Sequence, residues 1–114
     1  VSTNKISYFS NYSSHYVEIL APGSHKSDGG LLSTIANNRY AYYQGTSMAS
    51  PVVAGVAALI VGQLRKQETT VTPSLVEQIL LDSSPQDLTH SDKVKNSKKL
   101  NLQSIAQALS NHCY

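Results

Sequence analysis

Seven consecutive residues, Gly45-Thr46-Ser47-Met48-Ala49-Ser50-Pro51, hold the side chains best suited to covalent chemistry. They stand between an aromatic run, Arg39-Tyr40-Ala41-Tyr42-Tyr43, and a long stretch of small and apolar residues. A serine at a strand-to-helix junction lies beside free backbone N–H groups and the positive end of a helix dipole, and both favour an oxyanion there. Gly45 lets a substrate or a second backbone come close. The plain alternative is capping, the commonest role of Ser and Thr just before a helix. The pattern is not the G-x-S-x-G nucleophile elbow, since Ala49 stands where the second glycine is required, so an α/β-hydrolase fragment is disfavoured. A serine hydroxyl attacks an amide only when a hydrogen-bonded base takes its proton. The candidate bases His15, His25, His90 and His112 stand in contexts that suit exposed or packing histidines. His25 with Asp28 is the one close His/Asp pair before Ser47, a weak dyad in a Gly-rich loop. Asn37 and Asn38 read as a turn.

Three zones must position these residues. Residues 1–46 are strands and loops. Tyr16 to Leu20 alternates in the strand manner and stops at Ala21-Pro22-Gly23, a turn signal. Leu31 to Ile35 and Arg39 to Tyr43 are two further strand candidates. Residues 47–67 read as one helix, apolar nearly all round through Val52, Val53, Val56, Leu59 and Ile60, hence buried on all sides. Pro51 falls near its beginning, where a missing N–H costs little. Residues 68–114 hold two more helices. Thr72-Pro73 starts the first, with Leu75, Val76, Ile79 and Leu80 as its apolar stripe. Asn101 caps the second, where Leu102, Ile105, Ala106 and Leu109 repeat at helical spacing. Ser83 to Lys99 is a polar loop. A helix buried on all sides needs more wall than these elements supply, so the chain reads as part of a larger assembly.

Composition excludes several function classes. One hundred and fourteen residues suffice for one small domain and not two. With 40% hydrophobic and 14% charged residues the chain is globular in type. The net charge of +2 is scattered, and Lys93, Lys95, Lys98 and Lys99 lack interleaved aromatics, which argues against nucleic-acid binding. The single cysteine, Cys113, rules out an internal disulfide or a Cys-based zinc site, though it can pair with another chain. Val1 to Lys5 lacks the apolar core of a secretory signal, so the chain is mature or begins elsewhere. The longest apolar stretch, Pro51 to Gly62, reads as too short for a bilayer, so no membrane segment is expected. No carboxylate cluster has a metal-loop pattern, so no metal is assigned to the chain. Asn11-Tyr12-Ser13 fits the N-glycosylation acceptor pattern and is treated as chance unless the protein is eukaryotic and secreted.

Gly45 through Leu59, with Gly-Thr-Ser-Met-Ala-Ser-Pro at its head, closely resembles the nucleophile signature of the subtilisin-like serine proteases. Tyr8-Phe9-Ser10-Asn11-Tyr12, Ala21-Pro22-Gly23 and Leu32-Ser33-Thr34-Ile35 resemble the segments that precede it in that family. The resemblance covers nearly the whole chain. It implies an α/β fold, a parallel sheet flanked by helices, of which this chain supplies edge strands and C-terminal helices. It implies Ser47 as nucleophile and oxyanion donor, Thr46 as support of that hole, and Tyr43, Gly45 and Met48 as substrate-binding residues. Val52 stands where many relatives have a histidine that is not the base. The family's Asp, His and oxyanion Asn precede the nucleophile, and no segment resembling Asp-Thr/Ser-Gly or His-Gly-Thr occurs here. The chain therefore resembles the last third of such a domain. The resemblance implies a serine endopeptidase, inactive alone and completed by an N-terminal portion that is either another chain or absent from this sequence, acting outside the cytoplasm on peptide or protein substrates. Calcium, which stabilises many relatives, is assigned to the absent part. The alternative is a non-catalytic pseudoprotease or interaction domain with Ser47 as a helix cap.

Overall fold

The structure, a computed structural model, describes residues 5–24 and 29–111. They form two compact units, one from residues of 1–11 and 21–52, the other from 12–20 and 53 onward. The division crosses the first sequence zone, since residues 12–20 belong with the C-terminal helices.

The first unit holds a hairpin. Strands β1 (Leu31–Ile35) and β2 (Arg39–Tyr43) have the spans read from sequence and pair antiparallel, Leu31 opposite Tyr43 and Ile35 opposite Arg39. Their connection turns at Asn37 (φ 62°) and Asn38 (φ 59°), the left-handed region that Asn tolerates because its short polar side chain can hydrogen-bond locally. Gly30, at the entrance to β1, is buried against the other end of the hairpin. A Cβ there would lie 2.3 Å from the Tyr43 carbonyl oxygen, so only glycine fits.

From this hairpin the chain enters helix α1 (Thr46–Lys66), 21 residues long. It closes through Glu68 at φ 57°, with the Thr69 N–H donating to the Leu64 carbonyl (3.0 Å) and the Glu68 N–H to that of Arg65 (3.0 Å). This is the left-handed C-terminal motif that glycine usually serves, here built with a glutamate that carries the steric cost.

The second unit is built on one face of α1. Val56, Ile60 and Leu64, four residues apart, are buried together with Leu80 of α2 (Pro73–Asp82) and with Ile105 and Leu109 of α3 (Leu102–Asn111). Ile19, Val53, Val71, Leu75, Val76, Ile79 and Leu100 pack around them. Both caps match the sequence reading: Thr72 Oγ1 accepts from the Leu75 N–H (3.2 Å) and Asn101 Oδ1 from the Ser104 N–H (3.0 Å). Leu102 departs from its predicted stripe and is exposed.

Two expectations about α1 need correction. It is not buried on all sides: Ala54, Gly55 and Ala58 are exposed and Leu59 is 68% exposed. The physical reason is supply, because α2 and α3 offer apolar side chains to one stripe only. The helix also extends beyond Pro51–Gly62 and is long and apolar enough, by length and composition, to cross a membrane. Its Val56–Ile60–Leu64 stripe lies in the core of the unit.

Tyr16 to Leu20 is not a strand. It runs beside residues 93–100 with parallel bridges only at Ser13–Val94 and Leu20–Lys99. The Lys95 N–H donates to Val17 O (2.7 Å), the Leu20 N–H to Lys98 O (2.9 Å) and the Leu100 N–H to Leu20 O (2.9 Å). Asn96 (φ 56°) and Ser97 (φ 54°) leave the extended region between these bonds and interrupt the ladder. The polar loop is thus a strap with its own buried residue, Val94, at 0% exposure. Its lysines are engaged: Lys93 Nζ lies 5.4 Å from the Tyr12 ring centroid, Lys95 pairs with Glu18 (3.2 Å), and Lys98 Nζ donates to the Ser84 carbonyl (3.2 Å).

Ile60→Ala should lower unfolding free energy by about 2–5 kcal/mol in urea titration, the usual cost of a cavity at a fully buried aliphatic. Glu68→Gly should raise it by about 1 kcal/mol in the same assay, by relieving the left-handed backbone at the end of α1.

Candidate active site

The strand-to-helix junction is built by the backbone of one residue. Gly45 has φ 156°, outside the range open to other residues, and lies between the end of β2 and the start of α1. Its N–H donates to the Gly23 carbonyl (2.9 Å), and its carbonyl accepts from the N–H groups of Met48 (3.0 Å) and Ala49 (3.3 Å). Those bonds open the helix. The Thr46 and Ser47 N–H groups precede them and have no acceptor among the described residues. Two free donors therefore sit in the first turn, one of them Ser47's own.

Charge favours an anion at this end. The first turn of α1 carries no acidic residue, while Arg65 and Lys66 occupy the last. The basic pair complements the carbonyl end of the dipole, and the N–H end is left without a carboxylate of its own helix.

Ser47 is exposed, and its hydroxyl makes no hydrogen bond among the described residues, so it does not act as a cap. The capping geometry found at Thr72 and Asn101 is absent from it. Pro51 is the sixth residue of α1, past the first turn. It has no N–H to donate to the Ser47 carbonyl four residues earlier, so the helix loses one bond there, more than the small cost expected at a helix start.

The remaining sequence-predicted residues fall on the two ends of the junction: Tyr43 ends β2 and is exposed, Thr46 begins α1, and the half-buried Met48 has its sulfur 3.7 Å from where a Gly45 Cβ would be. Val52 lies further along the same helix. Neither described histidine is bonded to Ser47: His15 Nδ1 is 3.2 Å from Ser14 Oγ, and His90 ends a 3₁₀ turn over Leu88–His90 in the other unit. The His25–Asp28 pair, His112 and Cys113 lie outside the described residues. Asn37 and Asn38 make the hairpin turn, as read. No group of three or more His, Cys, Asp or Glu side chains among the described residues is arranged to hold a metal ion. Gly23 was legible only as a turn residue, although it is the partner of Gly45. Its one signal was the Ala-Pro-Gly segment.

Comparison with known proteins points one way. The model of the subtilase family, Peptidase S8, matches residues 1–108. The chain is 50% identical over 62 residues to a thermophilic serine proteinase of Bacillus sp. (strain AK1), covering 54% of this chain and 14% of that protein. It is 54% identical over 56 residues to subtilisin-like protease 2 of Plasmodium falciparum, covering 49% of this chain and 4% of that protein. Among solved structures, that of the prenylagaramide maturation protease PagA superposes with TM-score 0.73 at 32% identity, over 92% of this chain and 38% of that one. The structure of subtilase cytotoxin SubAB superposes with TM-score 0.74 at 23% identity, over 88% of this chain and 29% of that one, a likeness of fold. The chain thus spans a small fraction of each curated relative and about a third of each solved chain.

Gly30→Ala should destabilise the fold by about 1–3 kcal/mol in thermal or urea unfolding, because the new methyl meets the Tyr43 backbone beside this junction.

Proposed function

The chain belongs to the subtilase family, and on that premise we propose that it is the nucleophile-bearing part of a serine endopeptidase. The observation that carries this reading is an exposed Ser47 in the first turn of α1, its hydroxyl uncommitted to capping and its own N–H without an acceptor among the described residues.

The mechanism divides between this chain and an upstream portion of the same domain, whether joined to it or separate. The Ser47 hydroxyl attacks the scissile carbonyl while a histidine of that portion takes its proton. Negative charge moves to the carbonyl oxygen, where the Ser47 N–H donates, supported by Thr46 and the end of the helix dipole. An asparagine of the upstream portion is the second donor. The acyl-enzyme forms as the amine leaves with the proton from histidine, and water then hydrolyses it. Tyr43 and Met48 border the pocket for the residue after the scissile bond, with Gly45 admitting the substrate backbone. Among the described residues no base reaches Ser47, and alone the chain turns over no peptide. Calcium is held, where the complete domain uses it, by the upstream portion. The enzyme works outside the cytoplasm on peptide or protein substrates.

The exposed apolar face of α1 supports the need for that portion, since Ala54, Gly55, Ala58 and Leu59 are left uncovered by α2 and α3. A non-catalytic role with Ser47 as cap draws no support from the hydroxyl, which caps nothing among the described residues.

Treating the complete native protein with a fluorophosphonate should label Ser47, located by peptide mass spectrometry. Ser47→Ala should abolish the adduct and lower kcat by about 10⁶-fold. A folded, complete protein unlabelled at Ser47, or one that keeps its activity as Ser47→Ala, refutes the proposal.

A further inference from the structure

We infer that Gly23 is a positioning residue for the nucleophile, acting through the backbone of Gly45; this rests on Ser47 being that nucleophile. Gly23 engages both polar groups that frame the junction. Its carbonyl accepts the Gly45 N–H at 2.9 Å. A Cβ on Gly23 would lie 2.7 Å from the Gly45 carbonyl oxygen, 3.4 Å from its carbon and 3.2 Å from the Ala49 Cβ. Real Cβ atoms do not approach a backbone oxygen that closely, so a methyl there must move the Gly45 carbonyl.

That carbonyl is the acceptor for Met48 and Ala49, the two bonds that open α1. Moving it reorients the first turn, and with it the Ser47 N–H and hydroxyl two residues on. The Gly23 segment is itself held. Pro22 has a fixed φ, and Ser24 Oγ is 3.0 Å from Ser7 Oγ, so the strain of an added methyl falls on the junction. Two glycines among the described residues have a backbone within 3 Å of their virtual Cβ, Gly23 and Gly30, and each leans on a residue flanking the nucleophile turn, Gly45 or Tyr43. Gly29, Gly55 and Gly62 have nothing within 4 Å. The crowding lies on the Gly23 side, since a Cβ on Gly45 would meet only the Met48 sulfur and the Ser47 nitrogen at 3.7 Å; the Gly23 backbone thus fixes where the oxyanion donor points.

The test is Gly23→Ala in the complete protease, with rates expressed per active site titrated. kcat should fall about 10–100-fold with KM within about twofold, the size of effect that a small misplacement of a transition-state donor produces. Affinity for a peptide boronate, whose tetrahedral adduct uses the same donor, should fall in step with kcat/KM, while affinity for a product peptide stays unchanged. An unchanged kcat per titrated site overturns the inference, as does an equal loss of boronate and product affinity, which marks general distortion. Should the variant not fold, hydrogen exchange on the wild-type protease decides: slow exchange of the Gly45 amide supports the inference, and exchange at the open-chain rate overturns it. Wild-type enzyme unlabelled by fluorophosphonate at Ser47 removes the proposed function and this inference together; labelled wild type with an unaffected variant removes this inference alone.

Discussion

Everything distinctive about the junction depends on the backbone of Gly45. This one residue ties three segments together: its N–H reaches Gly23, its carbonyl starts α1, and its φ of 156° lets β2 turn into the helix through two residues. A side chain at this residue would remove the backbone conformation on which those bonds depend. What emerges is a serine presented in a helix's first turn with unclaimed N–H groups around it. The chemical value of such a site lies in donors fixed before charge develops, so that no reorganisation is needed when it does.

The second constraint is how little of α1 this chain can bury. Three residues four apart, Val56, Ile60 and Leu64, are enough to lock the helix to α2 and α3. The remaining apolar faces have no such cover among the described residues, with Leu59 mostly exposed. A sequence that is apolar around a whole helix implies neighbours on every side. Here the neighbours present account for one side, in keeping with a chain that spans about a third of the solved subtilase structures it matches. The strap over residues 83–99 is tied to α2, burying Val94, Ser84 and Ser97, with the Ser84 Oγ bonded to the Leu80 carbonyl (2.7 Å).

Much of this was legible in the order of residues because it is local. The two strands and the Asn37-Asn38 turn were each readable from their own residues, and both strands begin and end where the runs do, but their antiparallel pairing was not read. Thr72-Pro73 and Asn101 marked helix starts through their own side-chain oxygens. The subtilase signature from Gly45 onward identified the family, and the comparison over residues 1–108 agrees. Where reading failed, a distant partner was responsible. Tyr16 to Leu20 alternates as a strand should, yet its ladder is broken by the left-handed Asn96 and Ser97, far along the chain. The end of α1 at Glu68 gave no signal, since the motif there usually announces itself with glycine.

The sequence by itself determined the hairpin strands, the three helices, the family and the identity of the candidate nucleophile, because propensity, capping and a long motif are written in contiguous residues. Only the tertiary structure decided which stripe of an all-round apolar helix is buried, that the Ser47 hydroxyl caps nothing among the described residues, and that Gly23 stands against Gly45. Each of these depends on what another segment brings within a few ångströms. A hydrophobic pattern states how much surface must leave water, and packing alone chooses which surface does.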